Sequence, residues 1–203
     1  MLTRAVSLVA LLALAGCGAD PVWAPEDAVA RARYVHDAPP SITLYTVISN
    51  RDNTGAHSAL LINGSERVMF DPAGTWYHPA VPERNDLHFG MTPRMVDFYV
   101  DYHARETFRV VEQTVPVTLE QAEIALQRAR DYGAVPKAFC ARSTSSILQG
   151  VPGFDGVRRS FFPENVMASV ARVTGVEGRV IYDSDAPNNH GVLMTQQNVI
   201  LQE

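Results

Sequence analysis

The alternation of apolar and polar positions is clearest over residues 55–71, where it predicts a β-hairpin with a turn at residues 63–65. A two-residue loop would set His57 opposite Phe70, whereas a three-residue loop sets His57 opposite Asp71. We favour the three-residue loop because it collects the apolar side chains on one face. In that register one face carries Ser58, Leu60, Ile62, Val68 and Phe70, and the other carries His57, Ala59, Leu61, Arg67, Met69 and Asp71.

The same patterns predict further elements on both sides of the hairpin. Strands are expected over 42–49, 107–117 and 178–182, and helices over 26–34, 92–103, 118–133, 139–150 and 163–173. The proline-rich segment 72–90 is expected to be irregular and to cover a site, as long loops often do. The resulting division is a leader (1–16), a tether (17–25), an α+β domain (26–185) and a polar C-terminal tail (186–203).

Chain length, apolar content and net charge limit the classes of protein to which this chain can belong. A chain of 203 residues, of which 46% are apolar, can bury one good core. The net charge of -5 gives no electrostatic reason to expect nucleic acid as a partner. We therefore expect a single globular domain that does not bind nucleic acid.

The N-terminus reads as an export signal. Arg4 precedes an apolar run that is too short to span a bilayer, and the run ends in Leu-Ala-Gly followed by Cys17. This ending resembles the bacterial lipobox, in which the cysteine becomes the lipidated N-terminus of the mature protein. The alternative is an ordinary secretory leader cleaved nearby, which leaves the compartment unchanged. We expect a lipid-anchored protein of the bacterial cell envelope, held to the membrane through Cys17 and facing the periplasm or the exterior.

The second cysteine, Cys140, differs from Cys17 in its expected role. If Cys17 carries lipid, Cys140 has no disulfide partner in the chain, and a lone thiol in an oxidising compartment is a liability unless it is buried or used. Cys140 falls at the start of a predicted helix, where the helix dipole and free backbone amides stabilise a thiolate. The competing interpretation is a core cysteine, because Thr144, Ile147 and Leu148 share its helix face.

Three residues together indicate thiol chemistry. Such chemistry needs a base to take the thiol proton and a third group to orient that base. His57 on a strand, Asp71 beside it in the favoured register, and Cys140 at a helix start supply the three roles.

The order of these residues resembles a known superfamily. The segments Gly-Ala-His-Ser-Ala-Leu-Leu-Ile, Val-Met-Phe-Asp-Pro-Ala-Gly and Phe-Cys-Ala-Arg-Ser-Thr-Ser-Ser-Ile-Leu resemble the circularly permuted NlpC-type papain-like thiol hydrolases, the branch that includes lecithin:retinol acyltransferase-like proteins. The resemblance covers residues 42–150. It implies a papain-like α+β fold, an antiparallel sheet packed against helices, with Cys140 as nucleophile, His57 as base and Asp71 as the orienting residue.

Other chemistries find less support in the sequence. His78, His88 and His103 lack the i, i+4 helical spacing of zinc proteases, so neither a metal site nor a cofactor is predicted. The serines after Cys140 lack the Gly-x-Ser-x-Gly pattern of serine hydrolases.

The function expected from the sequence is that of an envelope thiol hydrolase. It would cleave an amide or ester through a thioester acyl-enzyme, with a cell-wall peptide as the first substrate class and an acyl lipid as the second. The alternative is a catalytically inactive, lipid-anchored binding module on the same fold.

Overall fold

The computed structural model describes residues 18–200. Cys17 and the predicted leader lie outside the described residues, so the anchor stays a prediction. Within residues 18–200, no helix combines the length and the apolar character that crossing a membrane requires.

An antiparallel sheet with helices on both faces confirms the predicted α+β class. Its strands follow the order β4-β5-β3-β2-β1-β6-β7. They are β1 (Ser41–Ser49), β2 (Gly55–Asn63), β3 (Arg67–Phe70), β4 (Glu83–Arg84), β5 (Leu87–Phe89), β6 (Phe108–Pro116) and β7 (Arg179–Ile181). The helices of the described part are α1 (Glu26–Ala32), α2 (Pro93–His103), α3 (Leu119–Tyr132), α4 (Cys140–Leu148), α5 (Pro163–Thr174) and α6 (His190–Ile200).

Alternate residues of the central strands enter two separate cores. Leu44 and Leu60, which pair across β1 and β2, lie in a core shared with α3, α4 and α5, and we call this side of the sheet the first face. Tyr45 and Ala59, one position along, lie in a core shared with α2 and α6, on the second face. Because both faces are covered, the central strands are buried on both sides.

Polar caps fix where two of the helices begin. Thr118 accepts a hydrogen bond from the Gln121 backbone, and the Gln121 side chain accepts one from the Thr118 backbone, which is the predicted capping box of α3. Thr92 likewise accepts from the backbone of Met95 at the start of α2, with proline at the first helical position.

The register of the central hairpin differs from the predicted one. Leu61 pairs with Met69 and Asn63 with Arg67, so the turn comprises residues 64–66 instead of 63–65. Continuing this ladder, Asp71 falls opposite Ala59 and not opposite His57. The predicted register is therefore wrong by two residues along β3.

The side chain of Asn63 explains the later turn. Its amide donates hydrogen bonds of 3.0 Å to the carbonyls of both Ala38 and Pro39, which holds Asn63 inside β2. A shift of two residues preserves the alternation of side chains. The predicted faces are accordingly confirmed, with Leu60 and Phe70 in one core and Leu61 and Met69 in the other.

Two segments hold more regular structure than the sequence pattern indicates. The segment 72–90, expected to be irregular, contributes β4 and β5 to one edge of the sheet. The region 186–203, to which the sequence analysis assigned no element, contains α6, which packs on α2. Gln196 of α6 donates hydrogen bonds of 2.9 Å to the Phe98 carbonyl and to Asp101 of α2.

Candidate functional site

The first part of the site is a histidine and a carboxylate at the end of the hairpin away from its turn. His57 Nε2 lies 2.6 Å from Asp71 Oδ1. Asp71 directly follows β3 and is 1% exposed, whereas the His57 side chain keeps 15% of its surface accessible. The two residues are diagonal in the observed register, and the reach of the imidazole closes that distance. The predicted His57–Asp71 contact therefore exists, although the register that suggested it is wrong.

The thiol reaches the same histidine from the other side. Cys140 is the first residue of α4 and is 8% exposed. The His57 side chain and the backbone amides of Ser58 and Ala141 lie near enough to its thiol to favour the ionised form and lower the thiol pKa. Since Asp71 occupies Nε2 of His57, Nδ1 is the ring nitrogen left for the thiol. The structure thus brings together the three residues selected from the sequence.

Charge couples the three groups. Burial by itself would lower the pKa of His57, but the charge and hydrogen bond of Asp71, with a smaller effect from Cys140, raise that pKa to about 10. Burial would raise the pKa of Asp71, yet His57 holds it well below its usual range. Burial also opposes ionisation of Cys140, and the hydrogen bond and charge of His57 outweigh it, so the thiol pKa is lowered. The site is therefore arranged as an imidazolium between a carboxylate and a thiol that ionises readily.

Helix α2 adds two residues that the sequence analysis missed. The Tyr99 hydroxyl donates a 2.7 Å hydrogen bond to Asp71 Oδ1, the oxygen that also meets His57. The His103 ring stacks parallel to the His57 ring, with centroids 5.5 Å apart. The i, i+4 spacing of Tyr99 and His103 was a readable signal, since it places both on one helix face. What the sequence could not supply was the packing of that face against β2.

The protonation of His103 follows from its contacts. Its Nδ1 lies 2.8 Å from the Tyr99 carbonyl, which can only accept, so Nδ1 carries the hydrogen. Burial lowers the pKa of His103 to about 4, against the opposing charge of Asp71. At neutral pH His103 is therefore an uncharged ring with an Nε2 lone pair.

A cleft opens on the His57 and His103 side of the site, and two aromatic rings are exposed near Cys140. A cleft of about 190 Å³ is lined by His57, Gly74, Tyr102, His103 and other residues of the same edge. On the Cys140 side, Phe139 is 42% exposed and Phe161 is 51% exposed, and their rings meet edge to face at 5.2 Å.

The hydroxyls that follow Cys140 are structural. Ser143, Thr144 and Ser145 are buried and donate to carbonyls of the preceding turn of α4. Thr144 Oγ1 also lies 2.7 Å from the hydroxyl of Ser58 on β2, which ties the helix to the strand beside His57. These contacts position Cys140 and leave the thiol as the nucleophilic side chain at this end of the helix.

The chain was compared with family models, with curated proteins and with solved structures. None of the three comparisons found a match.

One group of side chains in the described part could hold a metal ion. Ligand atoms of His57, Asp71 and His103 all lie within 4.8 Å of one another. His78, by contrast, sits beside Trp76 and hydrogen-bonds the Gln196 carbonyl at 3.4 Å, apart from this group. His88 also packs against Trp76 and contributes to the site through its electrostatic effect on Asp71.

Proposed function

We propose that the protein is a thiol hydrolase in which Cys140 is the nucleophile, His57 the acid and base, and Asp71 the group that orients His57. The observation that carries this proposal is the placement of His57, which contacts Asp71 at 2.6 Å and, by hydrogen bonding and charge, lowers the pKa of the Cys140 thiol. A thiol of lowered pKa, an imidazole and a buried carboxylate in that order are what covalent catalysis by cysteine requires.

The proposed reaction proceeds in two halves. The Cys140 thiolate attacks the carbonyl carbon of an amide or ester, and the His57 imidazolium gives its proton to the departing amine or alcohol. A thioester on Cys140 remains. Water then attacks the thioester, His57 takes the water proton, and the carboxylic acid product leaves as the thiolate is restored.

The start of α4 also supports the negative charge that develops. The first backbone amides of a helix have no acceptor within the helix, and they donate to an oxyanion formed beside its first residue. The backbone amides of Ser58 and Ala141 are among the groups that favour the ionised form of the Cys140 thiol. The tetrahedral intermediate on Cys140 would form among these donors.

The permuted papain-like family belongs to the same proposal. It is supported by the chain order of His57, Asp71 and Cys140, and by a helix that presents its first residue to an antiparallel sheet. The lipid anchor at Cys17 and a place in the bacterial envelope rest on the sequence alone. Replacing Cys17 by alanine should abolish lipid labelling in cells, and lipid label persisting on the variant would contradict the anchor.

Two substrate classes follow for an enzyme in that location. A cell-wall peptide is the first, because amide cleavage by a cysteine in the envelope matches the proposed compartment. An acyl lipid is the second, and a specific observation favours it: the exposed rings of Phe139 and Phe161 beside Cys140 offer an apolar surface to an acyl chain.

The competing proposal is a binding module that has kept the fold without the chemistry. The observation in its favour is that Cys140 is 8% exposed and counts among the buried residues of the fold. Little of Cys140 is then accessible to a substrate carbonyl.

Acyl-enzyme formation distinguishes the two proposals. The full-length protein in detergent is mixed with p-nitrophenyl esters of increasing chain length and with peptide thioesters, and intact mass is followed. We expect one acyl group on Cys140, none on Cys140→Ala, and slow acylation of His57→Ala. Ser146→Ala, on the same helix, is the matched control and should acylate normally. Absence of acylation with every reagent, or equal acylation of His57→Ala, would favour the binding module.

A further inference from the structure

The His103 side chain has a role that the proposed thiol chemistry does not use. Its Nδ1 hydrogen is committed to the Tyr99 carbonyl at 2.8 Å, so the lone pair on Nε2 is fixed in direction. Metal-binding histidines are oriented in this way, by a backbone carbonyl that holds the other ring nitrogen. Nε2 of His103 is therefore free to bind a metal ion. The His103 ring is also stacked on the His57 ring.

Asp71 offers an oxygen that nothing in the described part of the chain engages. Oδ1 receives both His57 and Tyr99, whereas Oδ2 is buried without a hydrogen-bond partner. A Cβ at position 74 would overlap Oδ2 at 1.8 Å, so Asp71 can hold this oxygen where it is only because residue 74, which also lines the cleft, is glycine. A buried carboxylate oxygen without a partner is costly, and a bound cation removes that cost.

We propose that His57, Asp71 and His103 form a binding site for a divalent metal ion of the zinc class, and that an ion bound there blocks the thiol chemistry of Cys140. The three residues place ligand atoms within 4.8 Å of one another. Two imidazoles and one carboxylate are a ligand set that zinc accepts, with a fourth position left open. The cleft beside His57 and His103 leaves the fourth coordination position open to solvent.

The geometry requires a small adjustment. Zinc lies about 2.0–2.2 Å from nitrogen and oxygen ligands, so neighbouring ligand atoms of a tetrahedral site stand about 3.3 Å apart. The ion binds Asp71 through the free Oδ2, so His57 Nε2 must leave its 2.6 Å contact with Oδ1 and turn to the ion, and the wider ligand pairs must close. The proton shared by His57 and Asp71 leaves to solvent as the ion takes its place.

Coordination removes the base from the catalytic group. A His57 ring held by the ion through Nε2 loses the hydrogen bond to Asp71 and keeps its hydrogen on Nδ1, so neither ring nitrogen can take up a proton. The ring then cannot take the proton of the water that attacks a thioester on Cys140. Because Cys140 is not one of the three ligands, the thiol can be removed without removing the site.

Binding is measured on the full-length Cys140→Ala protein by titration calorimetry with zinc chloride. We expect one ion per chain. Adding His103→Phe, which keeps an aromatic ring at that position, or His57→Ala, which alters the least buried ligand, should weaken binding at least tenfold in each case. His78→Phe is the matched control for loss of a buried histidine and should bind as the parent does. Circular dichroism establishes that each variant is folded.

Several results would overturn the site. They are absence of zinc binding in Cys140→Ala, undiminished binding in both His103→Phe and His57→Ala, or binding that requires the thiol. In the protein that keeps Cys140, zinc should slow hydrolysis of the acyl-enzyme at least tenfold and a chelator should restore the rate; an unchanged rate would overturn the block. Failure of the proposed hydrolase is seen separately, as absence of acylation in metal-free protein.

Discussion

The two faces of the sheet are built from different kinds of residue. The first face is mainly aliphatic, and its helices α3, α4 and α5 contribute small and branched side chains. The second face is rich in aromatic residues, histidine and methionine, and its polar side chains are linked to one another, as Tyr99, Asp71 and His103 are. The first face relies mainly on apolar burial, with a few buried hydroxyls such as those of Ser58 and Thr144, whereas the second combines packing with hydrogen bonds to charged groups.

The candidate site lies where the two faces meet. Helix α4 brings Cys140 from the first face, and helix α2 brings Tyr99 and His103 from the second. His57 is in contact with Cys140 on one side and with Asp71 on the other. A change on the first face should therefore alter stability, and a change on the second should alter the ionisation of the site.

The largest effect is expected on the second face, from Asp71→Asn. An asparagine amide can donate to Nε2 of His57, which moves the ring hydrogen to Nδ1 and leaves the thiol without a base. The same exchange in serine proteases lowers turnover about 10⁴-fold, and we expect a loss of that order in acylation of Cys140. Full activity in the variant, measured on the best ester found, would remove Asp71 from the site.

The stability of the same variant should depend on pH in a defined direction. The raised pKa of His57 stabilises the folded protein fully below the unfolded value of about 6.5, and this contribution is lost as pH rises through about 10. The lowered pKa of Asp71 contributes above about 3.9 and is lost as pH falls. Urea unfolding should show the greatest difference between wild type and variant from about pH 4 to 6.5. A difference that grows above pH 7 would contradict the coupling.

Leu60→Ala is the corresponding change on the first face. Leu60 is fully buried in the aliphatic core, and truncation there costs about 2–5 kcal/mol of unfolding free energy. The pH midpoint of Cys140 alkylation should stay where it is in the wild type, provided the variant is folded. A shifted midpoint would mean that the two faces are not separable in the way proposed.

Much of the assignment of residues to the two faces of the sheet could be predicted from the sequence. The alternation in β1 and β2 predicted which residues share a face, and the caps of α2 and α3 were readable as Thr-Pro and Thr-x-x-Gln. The register of the β2–β3 hairpin could not be predicted, because the Asn63 side chain fixes the turn by hydrogen bonds to carbonyls that are distant in sequence. Helix α6 was missed because one of its few buried positions, Gln196, is polar.

The roles of Tyr99 and His103 needed the three-dimensional packing. Both lie on one face of α2, yet an aromatic residue and a histidine at helical spacing are equally typical of an ordinary core. Only the packing of α2 on the second face brings them to Asp71 and His57.

Tyr99→Phe tests the support that α2 gives to Asp71. The change removes one hydrogen bond to a buried carboxylate, which is worth about 1.5–3 kcal/mol, and leaves the ring in place. Stability should fall by that amount, and acylation of Cys140 should slow about tenfold. Phe98→Leu, at a half-buried neighbouring position of α2, is a control for altered packing. A Tyr99→Phe protein that loses stability at unchanged acylation rate would assign Tyr99 a purely structural role.

The smallest effect is expected from the polar pair on the first face. The hydroxyls of Ser58 and Thr144 are 2.7 Å apart and buried, and Thr144 also donates to carbonyls of its own helix. Ser58→Ala should cost about 1 kcal/mol, and adding Thr144→Val should cost little more. A double-mutant cycle in urea gives the coupling. A coupling above about 2 kcal/mol would show that this pair holds α4 in place more firmly than a single neutral hydrogen bond does.

The pH dependence of Cys140 alkylation tests the central claim most directly. The thiolate is the reactive species, and the His57 contact lowers the pKa of Cys140, so folded wild-type protein should stay reactive at pH values where an ordinary thiol is protonated. His57→Ala should move the midpoint upward, and by more than Arg142→Ala, the control for the neighbouring positive charge. A single midpoint near the ordinary thiol value in all three proteins, or reaction only after denaturant is added, would show that Cys140 is a core residue.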